Sequence, residues 1–153
     1  MTESLRSQVL RWFDEVYNQG RFETIDELLA PEAVIHGVGL AAGPVRGASE
    51  LKEQVEVLRG AFPDLHIRVE ELICEGRLVA MRLTASGTHR GDELGISPTR
   101  RRVTIEGMSF GRWEGGQLVE GWNQFDLFSL YRQLGVLSLF STAGPDEPPP
   151  SAR

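Results

Sequence analysis

The 153 residues, 41% hydrophobic and 25% charged, suffice for one packed domain and are too ordinary in composition for a wholly disordered chain. Sixteen basic against twenty-two acidic residues leave a net charge of -6, which supplies no cationic field for a nucleic acid or an anionic membrane surface. A single cysteine, Cys74, excludes an intrachain disulfide and a cysteine-based zinc site, and no segment is apolar for long enough to span a bilayer, so the expectation is a cytosolic protein without a signal peptide.

Leu5, Val9, Trp12, Phe13, Val16 and Tyr17 recur at helical spacing, which predicts a helix over residues 3 to 19 with one apolar face, stopped by Asn18-Gln19-Gly20. Phe22, Ile25, Leu28 and Leu29 give a second, shorter helix that ends before Pro31. PEAVIHGVG reads as a strand leading into a stretch of turns between Gly37 and Gly47. A third helix, about Ala48 to Gly60, takes Ser49 as its cap, sets Leu51, Val55 and Leu58 on one face and is broken by Pro63-Asp64.

From Leu65 the apolar period falls to two. Leu65, Ile67 and Val69 alternate with His66, Arg68 and Glu70; beyond Glu75-Gly76, Val79, Met81, Leu83, Ala85, Gly87 and His89 fall on one side of the next strand. RRVTIEGMSFGRWEGGQLVEGWNQF supplies two more strands around Glu114-Gly115-Gly116, so four strands form an antiparallel meander. LFSLYRQLG is a terminal helical turn. The order of elements predicts an α+β domain over about residues 1 to 140, with helices on one face of a curved sheet. STAGPDEPPPSAR, residues 141 to 153, reads as a disordered tail.

One carboxylate stands where the last strand meets the terminal helix. Asp126 directly precedes LFSLYRQLG, where an aspartate makes a good N-cap, accepting a first-turn N–H for about 1 kcal/mol. It also shares strand parity with Trp122, and in an apolar pocket beside that indole its pKa would rise into the range of a useful general acid or base. The residues alone leave both readings open. Of Asn123 and Gln124, the inward one either ties two strands together or orients a substrate carbonyl. His89 ends an apolar row and His36 follows the apolar AVI stretch, so each is a structural histidine or a proton-transfer group. Thr104, Glu106, Met108, Phe110 and Arg112 share one strand face, on which Glu106 and Arg112 form an ion pair or leave Arg112 for an anionic substrate group. The three histidines lack metal-ligand spacing, and GxGxxG and P-loop patterns are missing.

These segments together carry a resemblance. LLAPEAVIHG, then GPVRGASELKEQVEVLRGAFPDLHIRVEELICEG, then GTHRGDELGISPTRRRVTIEGMSFGRW, then GGQLVEGWNQFDLFSLYRQLG resemble the SnoaL-like polyketide cyclases of the nuclear-transport-factor-2-like superfamily, over about residues 5 to 137. The resemblance implies a cone-shaped fold, N-terminal helices packed on a strongly curved antiparallel sheet, an apolar pocket at the wide end, and a homodimer formed through the sheets. It implies a cyclase of secondary metabolism that closes a ring on a small apolar polycarbonyl substrate by intramolecular aldol condensation, without metal or cofactor. The W-x-x-x-D-x-x-x-L-x-x-Q-L-G pattern puts the general acid/base on Asp126, with His89 and Asn123 beside it. His36, Trp122, Arg112, Glu106, Phe110 and Met108 are then the expected substrate-binding residues. Two departures stand out: Arg100 replaces the glycine of a recurrent PTG turn, and Asn123 replaces an aspartate that often follows the strand tryptophan.

Two other functions fit the same residues. Epoxide opening or pyran-ring closure needs Glu106, Arg112 and Asp126 to converge. A non-catalytic binding or dimerisation domain needs only the pocket.

Overall fold

The computed structural model describes residues 3 to 137; the expected tail lies outside them. The first expected helix is two elements, α1 (Leu5–Arg11) and a π-helix (Trp12–Asn18). The wider turn, closed by the Gln19 N–H on the Asp14 carbonyl at 3.0 Å, lets Trp12, Phe13, Val16 and Tyr17 all face the core. Asn18 then behaves like a strand residue. Its amide donates to the Ile67 carbonyl at 2.9 Å and accepts the Ile67 N–H at 2.6 Å, fastening the π-helix to the sheet.

α2 (Phe22–Leu28) runs directly into β1 (Leu29–His36), and β2 (Val45–Arg46) precedes α3 (Gly47–Ala61). Ser49 lies inside α3 and does not cap it. Glu50 instead reaches back to the Arg46 N–H at 2.7 Å, the returning half of a capping box. The meander follows as expected, with β3 (His66–Glu75), β4 (Leu78–Thr88), β5 (Arg102–Glu114) and β6 (Gln117–Phe125), and α4 (Leu127–Leu134) closes the described chain.

The sheet order is β2-β1-β6-β5-β4-β3. All neighbours are antiparallel except β1 and β6, which run parallel and place His36 opposite Trp122. Register shifts between Val69 and Glu71 and between Arg112 and Trp113 mark bulges that bend the strands. The helices cover one face of the sheet. Val79, Met81, Leu83 and His89 of the expected β4 row are buried there, in a main core that joins Val9, Trp12, Val16 and Ile25 to Leu51, Val55, Ile67 and Leu118. A smaller cluster, Ala61, Phe62, Val103, Leu130 and Leu134, joins α3 to α4 at one end.

Candidate functional site

Between the helices and the inner face of the sheet lies a cavity of about 440 Å³. Phe13 and Tyr17 of the π-helix, Leu58 and Phe62 of α3, the inward residues of β4 to β6, and Leu127, Leu130 and Tyr131 around α4 line it. No Asp, Glu, His, Lys or Arg is among the described residues that line it. Its polar groups are neutral: Tyr17, Ser86, Asn123, Gln124 and Tyr131. Such a cavity accepts an uncharged guest, because an unpaired charge moved from water into an apolar space costs several kcal/mol.

Asn123 is the one expected catalytic residue that lines the cavity. Its amide orientation follows from its partners. The carbonyl of His36 can only accept, so Nδ2 faces it at 3.1 Å; Oδ1 then accepts the Ser109 hydroxyl proton at 2.8 Å. Tyr17 is buried, and burial alone pushes its phenol above the ordinary range. Its backbone is held by Arg59, whose guanidinium donates to the carbonyls of Tyr17 and Asn18 at 2.8 and 2.9 Å and so caps the π-helix.

Asp126 sits at the cavity's rim, between Phe125 and Leu127, which line it, and is itself exposed. Oδ1 accepts the Ser129 N–H at 2.9 Å, so the residue is the N-cap of α4. The wall position expected for it is not observed. His89 is fully buried at the end of β4, behind Phe62, with ring centroids 5.6 Å apart. The Thr99 N–H donates to Nδ1 at 3.1 Å, which leaves Nε2 as the ring's N–H, buried without a partner among the described residues. His89 thus fastens the loop before β5 and does not line the cavity.

The remaining expected residues lie on the opposite face of the sheet. Trp122 stacks on His36 at 5.5 Å and 12°, touches Phe110 at 5.8 Å, and carries the Arg112 guanidinium over its ring at 5.7 Å. Glu120 pairs with both His36 and Arg112, at 3.1 and 3.2 Å. Glu106, Met108 and Phe110 are exposed there. Their expected common face is observed, but it is the outer one. The inner row of β5 is Gly107, Ser109 and Gly111, small because the space is taken: a Cβ on Gly107 would lie 2.4 Å from the Phe125 ring. Glu106 and Arg112 therefore cannot meet a guest in the cavity, and the convergence that epoxide opening needs is not present.

Among the described residues no three His, Cys, Asp or Glu side chains gather into a set for a metal ion. The model of the SnoaL-like polyketide cyclases matches residues 7–134. The chain belongs to that family. Aklanonic acid methyl ester cyclase DnrD of Streptomyces peucetius is 27% identical over 133 residues, covering 86% of this chain and 92% of DnrD. IdmH of Streptomyces antibioticus, a proposed polyketide cyclase, is 31% identical with a TM-score of 0.75, over 88% of this chain and all (100%) of IdmH. AclR of Streptomyces galilaeus, a proposed hydroxylase, is 26% identical with a TM-score of 0.74, over 87% of this chain and 96% of AclR. The fold is the cone-shaped α+β architecture of these SnoaL-like structures.

Two residues of the site, one lining the cavity and one behind Asn123, escaped the sequence reading. Tyr17 counted only as part of an apolar helix face, although a buried tyrosine brings a hydroxyl that usually finds a partner. Ser109 carried no sequence signal, since its role depends on lying opposite Asn123 across β5 and β6.

Proposed function

We propose that this SnoaL-like chain is a cyclase that holds an uncharged, largely apolar polycarbonyl compound folded in the cavity and closes a ring by aldol-type chemistry. The neutral lining carries the reading, because it fits a polyketide-like substrate whose acid groups are absent or esterified. DnrD is by name the cyclase of a methyl ester. Holding the chain in a reactive fold supplies the entropic part of the acceleration. In the chemical step Asp126, at the rim, takes the acidic proton between two carbonyls. The resulting enolate carbon bonds to a second carbonyl carbon, whose π pair moves to its oxygen, and Asp126 returns the proton to that alkoxide.

Asp126→Asn separates the acid from the cap, since asparagine caps a helix as well as aspartate does. With a polycarbonyl substrate, turnover should fall by about a hundredfold or more while the melting temperature stays constant. Retained turnover removes Asp126 from the mechanism.

A second reading is a binding domain without catalysis. Its support is that Asp126 is exposed and hydrogen-bonded to the first turn of its own helix, and that no carboxylate among the described residues lines the cavity. Ligand binding with no product from any candidate polycarbonyl would favour it. The outer face, where Met108 and Phe110 are exposed beside Trp122, is the surface proposed for pairing with a second copy. A monomer in sedimentation equilibrium would remove that proposal.

A further inference from the structure

Tyr17 and Asn123 both line the cavity, and together with Ser109 they also border a small internal void of about 20 Å³. Two of them bring hydrogen-bonding capacity that the protein leaves unused. Asn123 has two amide protons; one goes to the His36 carbonyl, and the amide's other contact, Oδ1 to Ser109, is an acceptor contact. The second amide proton has no partner among the described residues. On strand parity Asn123 faces the helices, and its residual exposure is exposure to the cavity it lines. The Tyr17 hydroxyl enters no hydrogen bond with a described residue, and burial keeps it protonated, so it is a donor and not a base.

We propose that Tyr17 and Asn123 act together as a two-donor clamp for one carbonyl oxygen of the guest, with Ser109 as the residue that pins the Asn123 amide. Two donors and no nearby charge are what the two lone pairs of a neutral carbonyl require. An anion would lack a countercharge, and a hydrocarbon would leave both donors unsatisfied, at the cost of their desolvation. The His36 carbonyl decides the amide's direction, and Ser109 pins the amide in it. The Ser109 hydroxyl donates to Oδ1 while the His36 carbonyl can take only an N–H, so the flipped amide would lose the bond to His36. An aspartate at this position would set a carboxylate oxygen against that same carbonyl, which accounts physically for asparagine in this chain. The clamp deepens the cyclase reading, because it assigns the point at which a polycarbonyl substrate is gripped and at which growing negative charge on oxygen is met.

The test uses a matched pair of rigid probes, 9-fluorenone and fluorene, which differ by the carbonyl oxygen. Their affinities are measured by calorimetry on the full chain, and the carbonyl stretch of bound fluorenone by infrared difference spectroscopy. The wild type should prefer the ketone and shift its stretch to lower wavenumber. In Tyr17→Phe the preference should fall by about three- to tenfold, the size of one hydrogen bond, and the stretch should move back. Its thermal stability should be unchanged, because the hydroxyl has no partner among the described residues to lose. Ser109→Ala should weaken the shift through a disordered Asn123 amide without reducing the affinity for fluorene, which a purely structural defect would reduce.

Equal ketone preference and an equal stretch in wild type and Tyr17→Phe would overturn the clamp, as would failure of both probes to bind. If the clamp behaves as expected and no polycarbonyl is turned over, the clamp stands and the cyclase reading falls.

Discussion

Across β5 and β6 the two faces of one sheet are built from opposite materials. Outward stand Met108, Phe110, Arg112 and Trp122, large side chains of which Phe110 and Arg112 pack against the Trp122 ring. Inward stand Gly107, Ser109, Gly111, Gly121 and Asn123, small or polar, beneath the helices. The face that looks like core by hydropathy is the exposed one, and the face that holds the cavity is made of what hydropathy discounts. On a sheet that must leave room for a guest, function is written in absent side chains.

The largest effect should come from the inner wall. Gly37 ends β1 at a φ of +70°, and a Cβ there would lie 2.1 Å from the Asn123 carbonyl oxygen, backbone against backbone. Gly37→Ala should cost about 3 kcal/mol or more in urea denaturation, from the clash together with the left-handed backbone. A small cost would mean that β1 and β6 can part without consequence, and the inner wall would be less rigid than its contacts imply.

The next effect contrasts neighbours. Gly107→Ala should destabilise by about 1 to 3 kcal/mol and drive the Phe125 ring into the cavity, weakening fluorenone binding, whereas Met108→Ala, one residue on, should stay within about 0.5 kcal/mol and leave binding unchanged. Met108 is 65% exposed. Loss of binding in the Met108 variant would mean that the two faces are not independent.

At the rim, Arg100 holds a φ of +61°, the single positive φ outside glycine among the described residues. It is the position where the recurrent PTG turn has glycine. Arg100→Gly should stabilise the protein by about 1 kcal/mol in chemical denaturation, by removing the left-handed penalty of a side chain.

The smallest effect concerns pH. The Thr88 backbone N–H, at 2.6 Å, holds the Asp64 carboxyl below its ordinary value of 3.8, with the Thr88 hydroxyl and Arg102 assisting. Because the folded pKa is the lower one, ionised Asp64 stabilises the fold above about pH 4, and that contribution disappears as the pH falls through the folded value. Asp64→Asn should flatten the acid limb of the stability curve, by little, since the group is half exposed. An unchanged limb would show that the clasp between Asp64 and Thr88 is not formed in solution.

Much of the fold was legible because its signals are local. The change of period at Leu65 marks where helices give way to the meander, and the capping role of Asp126 follows from the helix pattern after it. The parallel pairing of β1 with β6 was not legible, since nothing in either strand names so distant a partner. Nor was the π-helix, whose extra residue per turn is rewarded only by packing against a sheet already present. The site was misread for a specific reason. Alternation groups Thr104, Glu106, Met108, Phe110 and Arg112 correctly on one side but does not say which side is in, and apolar bulk pointed the wrong way. Asn123 was recoverable as one of an alternating pair; Tyr17 was hidden in an apolar row, and Ser109 acquires meaning only from its neighbour across the ladder.

The bond from Asn123 to the His36 carbonyl joins residues 87 positions apart. β6 inserts between β1 and β5 and is the last strand in chain order, so no earlier intermediate contains the finished sheet. A ribosome releasing this chain emits β1 and its short partner β2 long before β6 exists. The open edge of β1 and the apolar undersides of α1 and α3 must wait, or pair transiently with something else, until β6 arrives. Closing the binding chamber is therefore a late folding event, and a chain stopped short of β6 loses its guest site and the protection of that open edge in the same stroke.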